Sequence, residues 1–280
     1  MDIKAADVKA LREATGAGMM ECKNALVECN GDAAAAAKLL KEKGLAAVEK
    51  RSGRATSEGK IFIKTAGSKA VICELTCETD FVANNVDFIK IGEDIAQTAL
   101  DKGYTEPCEE LSNMLLELAT KIRENMSLRR LEVVEIPAGA VFAKYIHSDG
   151  KTGVITVINT EPATDAEAVK AFAYDCCLHI AAFAPQYITQ ADVDPAYIAE
   201  QTDIFKSQVE QDEKSASKPQ NVKDGIVQGK IKKHLASICF VDQPFVKDDK
   251  VTVAAKMDAV AKECGSKLSL AKVIAYQLGA

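Results

Sequence analysis

The sequence predicts an α+β protein in which small antiparallel sheets alternate with helical segments. Three observations support this class. The first residues, about fifty in number, show only the helical spacing of apolar side chains, and two later segments each combine β-rich runs with an amphipathic helix. A charged, sparsely apolar stretch around residue 200 again has helical periodicity.

The N-terminal segment predicts a small bundle of three helices. Apolar residues recur at helical spacing from Val8 onward, and the glycines of TGAG at 15–18 interrupt the first helix. An Asn-Gly pair ends the second helix, and Asp32 caps a third, alanine-rich one. The polar stretch at 49–59 then predicts a linker to the next unit.

Two later segments resemble each other and predict a duplicated core. Residues 59–100 and 143–182 each contain two β-rich runs around a glycine-bearing turn, followed by an amphipathic helix. Because strands joined by a short turn pair antiparallel, we expect two β-β-α units with antiparallel sheets. Between the two units lies a helix with these apolar residues on one face: Leu111, Met114, Leu115, Leu118 and Ile122.

The pattern changes after residue 191. Residues 195–214 carry few apolar side chains at helical spacing, KSASKP breaks the helix, and a second charged helix follows. Two charged helices with few apolar residues, separated by a short polar break, predict a projecting antiparallel hairpin with a thin, coiled-coil-like seam. The chain then returns to strand-like sequence and ends in a helix near Val260 and a last segment, SLAKVIAYQLG.

Composition argues against several classes of function. The 280 residues carry a formal net charge of −6, which disfavours a protein that binds nucleic acid mainly by electrostatics. No run is long and apolar enough to cross a bilayer, and the N-terminal residues are typical of an amphipathic helix rather than a signal peptide. Nine scattered cysteines indicate reduced thiols and predict a cytoplasmic protein.

One short stretch looks like part of a nucleotide-binding motif. DGKTG at 149–153 ends like a phosphate-binding loop, but Tyr145 stands where that motif requires its first glycine. Since the stretch lies between two β-like runs, we expect a hairpin turn instead.

Cysteine and histidine residues form no recognisable catalytic or metal-binding pattern. Cys73 and Cys77 lack the two further ligands that a metal site needs, and they are expected to be buried small side chains, as are Cys176 and Cys177. The histidines are far apart and accompany no nucleophile motif: His147, His179 and His234. The sequence therefore predicts no catalytic residue, metal site or cofactor, and we expect a binding surface.

The stretch CETDFVANN at 77–85 presents the main ambiguity. It follows a predicted strand, and a phenylalanine comes directly after an acidic residue in a chain with only 5% aromatic residues. Phe81 could be buried in the core, with Asp80 capping the next helix. Alternatively, Phe81 projects toward a partner.

Two stretches resemble the characteristic segments of the bacterial elongation factor Ts family. They are TGAGMMECKNAL at 15–26 and TDFVA at 79–83, and KIRENMSLRR, YIHSDGKTGV and QPFV add support over essentially the whole chain. Departures are local: ANN at 83–85 replaces the more usual A-[KR]-[DN], and the tail stops soon after YQLGA. The family exchanges guanine nucleotides on elongation factor Tu. The resemblance therefore implies a protein that binds the GDP-bound GTPase, disturbs its Mg²⁺ and phosphate site, and promotes GDP release so that GTP can rebind during translation elongation.

The resemblance also implies a division of the chain. The expected parts are a helical domain similar to ubiquitin-associated domains at 1–54, an N-terminal core subdomain at 55–140, a C-terminal core subdomain at 141–191 and 237–263, a helical hairpin insertion at 192–236, and a C-terminal helical module at 264–280. We expect no direct contact with nucleic acid or membranes, and the hairpin is a candidate surface for a homodimer.

The same resemblance implies which residues contact elongation factor Tu. Asp80 and Phe81 project from the loop into the G domain of the partner, where Phe81 acts as a wedge. Arg12, Met19 and Met20 face a helix of that domain, although methionines at helical spacing are more often core residues. A residue of the second β-hairpin meets the third domain of the partner, although its flank SDGKTG differs from the usual glycine-rich stretch. The expected contact residues are Arg12, Met19, Met20, Thr79, Asp80, Phe81, Val82 and His147.

Two other classes of function remain as alternatives. In an adaptor, the N-terminal bundle would bind ubiquitin-like or other helical ligands and the hairpin would mediate assembly. In an enzyme, one of the two cysteine pairs would carry thiol chemistry. A pull-down that recovers many partners but no translational GTPase would favour the adaptor, and full function of a Cys-to-Ala variant would exclude the enzyme.

Overall fold

The computed structural model describes residues 3–280, which form two compact units. The first unit comprises the chain through Glu135 together with Ile146–Gly153 and Tyr276–Ala280, and the second comprises Ile136–Tyr145 and Val154–Ala275.

The helices are α1 (Ala5–Thr15), α2 (Met19–Glu28), α3 (Ala33–Arg51), α4 (Asp80–Ala83), α5 (Val86–Lys102), α6 (Glu109–Ile122), α7 (Glu167–Phe183), α8 (Pro195–Gln211), α9 (Glu213–Ala216), α10 (Gln220–Ile238) and α11 (Val253–Cys264). The strands are β1 (Glu58–Ala66), β2 (Lys69–Cys77), β3 (Met126–Glu135), β4 (Val141–Ile146), β5 (Thr152–Glu161), β6 (Pro244–Phe245), β7 (Asp248–Thr252) and β8 (Lys267–Gln277). The α+β class is confirmed.

The three N-terminal helices form where the sequence predicts them. Gly16 ends α1 in the left-handed conformation (φ 69°), and the Asp32 carboxylate caps α3 by accepting from two backbone N–H groups. The helices share a small core made of Val8, Leu11, Cys22, Ala25, Leu26 and Ala36. The predicted linker is shorter than expected, because α3 continues to Arg51. Its last residues, EKR, are good helix formers, and its two basic side chains favour a helix C-terminus.

The first unit contains a three-stranded antiparallel sheet in the order β1-β2-β3. The predicted hairpin is confirmed, with Ile63 opposite Ile72. Helix α5 packs closely on β1, since a Cβ atom at Gly92 would lie 2.2 Å from Cζ of Phe62. Helix α6 is the predicted helix with one apolar face, and it buries Leu111, Leu115, Leu118 and Ala119.

The second sheet has the strand order β4-β5-β8, so each sheet consists of a hairpin and a third strand beside its second strand. The predicted helical module at 264–280 is wrong. Helix α11 stops at a left-handed Gly265 (φ 64°), and Lys267–Gln277 forms β8. Leu268, Ile274 and Tyr276 are the buried residues of this strand. The spacing of apolar residues in SLAKVIAYQLG also fits a helix, and pairing with β5, which is distant in sequence, decides for the strand.

The predicted helical hairpin is confirmed as α8 and α10, joined through the short α9. Its seam is thin: Val209 and Val227 are buried, while most other side chains of the hairpin are exposed or half-buried. Near its base, the hydroxyl group of Tyr197 lies 2.9 Å from Nε2 of His234. Helix α10 extends to Ile238, two residues past the expected boundary. Its buried residues Ile231, Leu235 and Ile238 form a cluster with Val193 and Cys239.

A buried carboxylate ties the C-terminal residues to the first sheet. Glu74 of β2 is fully buried and pairs with Arg129 (3.0 Å) and Arg130 (2.6 Å) of β3. The backbone N–H of Gly279 donates to the same carboxylate (3.1 Å), and the Arg130 guanidinium donates to the carbonyl oxygen of Gln277 (2.8 Å). The short tail after β8 is therefore a fixed part of the first unit.

Candidate functional site

Phe81 is the most exposed large apolar side chain among residues 3–280. It lies in the single-turn helix α4, between β2 and α5, and 84% of its surface is accessible. The next two residues, Val82 and Ala83, are buried in the core of the first unit. The alternative in which Phe81 is buried is therefore wrong. Val82, which the resemblance placed among the contact residues, is 7% exposed and packs in the core of the first unit.

The Phe81 turn (residues 79–83) is held by hydrogen bonds on both sides. Thr79 donates its backbone N–H to Oε2 of Glu124 (3.1 Å) and its hydroxyl to Oε1 (2.7 Å). Asn84, where the family more usually has a basic residue, donates its side-chain amide to the carbonyl oxygen of Asp80 (2.9 Å). Asn85 caps α5. An exposed phenylalanine forgoes about 1.5–3 kcal/mol of burial, and on a turn fixed in this way it indicates a contact surface.

The methionine loop (residues 15–20) presents a second apolar surface. Met19 and Met20, the first residues of α2, are 55% and 63% exposed, so neither is a core residue. The loop is closed by the Glu21 carboxylate, which accepts from the backbone N–H of Gly18 (2.9 Å). Arg12, in the last turn of α1, is also exposed.

Both surfaces are attached to the C-terminal end of α6. The aliphatic part of Lys121 lies against the methionine loop, because a Cβ atom at Gly16 would be 3.1 Å from Cγ of this lysine. Its ammonium group donates to Asp87 (3.0 Å), in the first turn of α5. Arg123 forms an ion pair with Glu21. One helix end therefore holds the methionine loop and the segment that follows the Phe81 turn.

His147 is exposed at the turn between β4 and β5. The backbone N–H of His147 donates to the carbonyl oxygen of Thr152 (2.9 Å), and Gly150, at φ 75°, donates back to His147 (2.8 Å). DGKTG is therefore a hairpin turn, as predicted. The turn is fixed to the first sheet, because the backbone N–H of Ile61 in β1 donates to the carbonyl oxygen of Gly150 (2.8 Å).

Charge connects this hairpin turn with the Phe81 turn. Lys151 forms an ion pair with Glu58 (2.7 Å). The hydrogen bond to Glu58 raises the pKa of Lys151, and the carboxylates of Asp149 and Asp80 add to the rise. Lys151 is therefore a stable cation within the electrostatic reach of Asp80, the neighbour of Phe81.

Comparisons with known proteins identify the family. A family model described as "Elongation factor TS" matches residues 78–280. The chain is 59% identical over 281 residues to elongation factor Ts of Treponema denticola, covering 100% of this chain and 99% of that protein. It is 36% identical over 290 residues to elongation factor Ts of Clostridium acetobutylicum, covering 99% of this chain and 92% of that protein. The chain belongs to the elongation factor Ts family. Elongation factor Ts is the nucleotide exchange factor for elongation factor Tu and carries out no catalytic chemistry, so both predictions of function are confirmed.

The thiol alternative is wrong for a member of the elongation factor Ts family, and the environment of the thiols agrees. Burial raises the pKa of Cys73 and of Cys77 to about 12. Burial also raises the pKa of Cys176, and it raises that of Cys177 to about 11. Because the thiolate is the nucleophile, thiols that stay protonated at neutral pH are inert packing groups.

Two of the three histidines have structural roles. His179 is buried, with Nε2 lying 2.8 Å from Oε1 of Gln243, and its ring packs on Phe240. His234 lies in the base of the hairpin, against Tyr197. Within residues 3–280, no group of three or more His, Cys, Asp or Glu side chains is arranged to hold a metal ion. No helix in the same part of the chain is long and apolar enough to span a membrane.

The sequence prediction missed one exposed apolar residue beside the Phe81 turn. Val86 is the first residue of α5 and is 78% exposed. The buried stripe of α5 starts at Phe88 and continues through Gly92, Ile95, Ala96 and Ala99. Two residues correspond to about 200° around a helix, so Val86 points away from that stripe. The sequence could have predicted this exposure: with Asn85 as the cap, Val86 is the first residue of the helix and lies two positions before Phe88, the first residue of the apolar stripe.

Proposed function

We propose that the Phe81 turn and the methionine loop form the principal surface by which this member of the elongation factor Ts family binds elongation factor Tu. The observation that carries the proposal is the exposed Phe81 side chain on a turn that hydrogen bonds hold rigid. Met19, Met20 and Val86 are further exposed apolar side chains, and they are proposed to belong to the same surface. Arg12 and Asp80 supply charged contacts, and His147 supplies a further contact from the hairpin turn between β4 and β5.

Exchange follows from differential binding. A protein that binds the empty GTPase more tightly than the GDP-bound form weakens GDP binding by the same factor, because the two equilibria are linked. The exchange factor therefore needs only a contact that the nucleotide-bound conformation does not allow. A rigid aromatic side chain suits this role, since it keeps its position when it meets the partner.

Phe81 is proposed to act as the wedge. Much of the binding energy of a nucleotide comes from Mg²⁺ and the phosphate-binding loop. Mg²⁺ requires near-ideal octahedral geometry, with ligands at about 2.0–2.1 Å. A shift of a partner helix by about an ångström disturbs this coordination and weakens GDP binding. Asp80, within reach of Lys151, is proposed to stabilise the shifted position by a polar contact.

We further propose that residues 1–54 are a domain similar to ubiquitin-associated domains, and that the two sheet-containing units arose by duplication. The first proposal is supported by three helices around a core of their own, and the second by the matching strand orders of the two sheets. The nine free cysteines favour action in the cytoplasm, where thiols stay reduced.

The test is the release of fluorescently labelled GDP from purified elongation factor Tu at increasing concentrations of this protein. We expect the rate constant of release to rise with concentration and to reach a plateau set by release from the ternary complex. A rate equal to spontaneous release at every concentration would contradict the proposal.

The helical hairpin is proposed to be dispensable for exchange and to mediate self-association. Ile204 and Val222 are exposed on it by 41% and 42%. Replacing residues 202–229 with a linker of about four Gly and Ser residues spans the typical distance of 8–10 Å between packed helices and keeps the contact of Tyr197 with His234. We expect unchanged GDP release and a purely monomeric species in sedimentation velocity. Loss of exchange with an intact circular dichroism spectrum would show that the hairpin contributes to the interface.

A further inference from the structure

We infer that residues 123–125, the connection between α6 and β3, position the Phe81 turn and join it to the methionine loop as one preformed surface. This connection is called the α6 junction below. The inference rests on the proposed function, in which these two elements contact the GTPase. It adds residues whose role is to hold the contact residues in place.

Glu124 has the most direct effect on the Phe81 turn. Both oxygens of its carboxylate are used: one accepts from the backbone N–H of Thr79 (3.1 Å) and the other from its hydroxyl (2.7 Å). Thr79 caps α4, and Phe81 follows two residues later. Because hydrogen bonds to an ionised group are stronger and more directional than neutral ones, Glu124 restricts the orientation of the single helical turn that carries Phe81.

Arg123 connects the same point to the methionine loop. It ends α6 in the left-handed conformation (φ 69°), which is rare for residues other than glycine and persists only where the surrounding structure holds it. Its guanidinium pairs with Glu21, and the same carboxylate accepts from the backbone N–H of Gly18, immediately before Met19. The unusual backbone conformation directs Arg123 and Glu124 to different segments.

Asn125 completes the α6 junction. Its backbone N–H donates to Glu78 (2.6 Å), the residue before Thr79, and Glu78 also pairs with Arg54 (3.3 Å). Its side-chain amide donates to the carbonyl oxygens of Ser52 (3.1 Å) and Arg54 (2.7 Å), between α3 and β1. Three consecutive residues thus hold the methionine loop, the end of the N-terminal helices and the Phe81 turn.

The chemical consequence concerns the transition from bound to released nucleotide. Phe81 can displace a helix of the partner only if the Phe81 turn keeps its own conformation on contact. A turn that rotates freely would bind the partner and leave that helix in place. Loss of the Glu124 carboxylate should therefore lower the rate constant of GDP release within the complex more than it lowers the affinity for the GTPase.

The test is a double-mutant cycle of Glu124→Ala and Phe81→Ala, measured by GDP release. We expect E124A to lower the plateau rate about tenfold, because it removes both charge-assisted hydrogen bonds to Thr79, with a smaller change in the half-saturating concentration. Because Glu124 acts through Phe81, adding E124A to F81A should lower the rate by less than twofold. Glu117→Ala is the matched control: it removes an exposed carboxylate of α6 that lies 3.9 Å from the Lys41 ammonium group, and it should leave the rate unchanged.

Three outcomes separate the inference from the proposed function. If F81A exchanges as well as the wild type, the proposed function fails. If F81A is impaired but E124A is not, or if the two reductions multiply in the double variant, the α6 junction does not act through Phe81 and the inference is overturned. Should E124A not fold, Glu124→Gln replaces one acceptor oxygen with an amide donor facing Thr79, and the same non-additivity is expected of it.

Discussion

Replacing Phe81 with alanine should slow GDP release from elongation factor Tu by about 30- to 150-fold, corresponding to the 2–3 kcal/mol that an aromatic hot spot contributes. Thermal stability should remain within about 0.5 kcal/mol of the wild type, since the side chain is 84% exposed and its truncation leaves no cavity. GDP release in stopped flow and thermal unfolding by circular dichroism measure the two effects on the same preparation.

Phe88→Ala provides the comparison for this prediction. Phe88 lies seven positions further along the chain but is fully buried in the first unit. Its truncation should cost about 3–5 kcal/mol of stability, as is usual for a core phenylalanine. If F81A unfolds at as low a temperature as F88A, Phe81 supports the fold and the wedge interpretation is wrong.

Glu74→Ala should lower the free energy of unfolding by about 2–3 kcal/mol, because two partly exposed arginines and a backbone N–H group lose their buried acceptor. The carboxylate of Glu74 binds Arg129, Arg130 and the N–H group of the C-terminal tail. Urea unfolding at neutral pH would measure the loss, and the tail should become accessible to carboxypeptidase in the variant.

The control for this loss is Glu93→Ala. Glu93 pairs with Lys64 at 2.9 Å, but its side chain is 52% exposed. Such a surface pair contributes about 0–1 kcal/mol. Equal destabilisation by E74A and E93A would show that the buried cluster does not hold the tail.

The parts of the fold that were predicted from sequence are those determined by local patterns. Three such patterns each involve only a few neighbouring residues: the helix cap at Asp32, the helix-ending glycines of the methionine loop, and the sparse apolar residues at helical spacing in the hairpin. The segment that forms strand β8 was expected to be helical because of the family resemblance, and its apolar spacing is compatible with a helix as well as with a strand. Pairing with β5 decides between them, and that contact lies more than a hundred residues away in sequence.

The exposure of Phe81 was not predictable from its neighbours. A polar cap followed by FVA is equally consistent with a buried phenylalanine, and one helical turn is too short to show a period. Glu124, 45 residues away in sequence, accepts two hydrogen bonds from Thr79, and on the turn that follows Val82 is buried and Phe81 is exposed. The resemblance to the family named both Phe81 and Val82 as contact residues, because a sequence motif does not distinguish an exposed residue from its buried neighbour.

The most direct test of the central claim compares the affinity of the protein for nucleotide-free and for GDP-bound elongation factor Tu, by titration calorimetry of each form. The account predicts tighter binding to the empty GTPase, by the same factor by which the protein weakens GDP binding in a separate titration. It also predicts that Phe81→Ala reduces this ratio more than it reduces the affinity for the GDP-bound form. Equal affinity of the wild-type protein for both forms, or a ratio that Phe81→Ala leaves unchanged, would contradict the account.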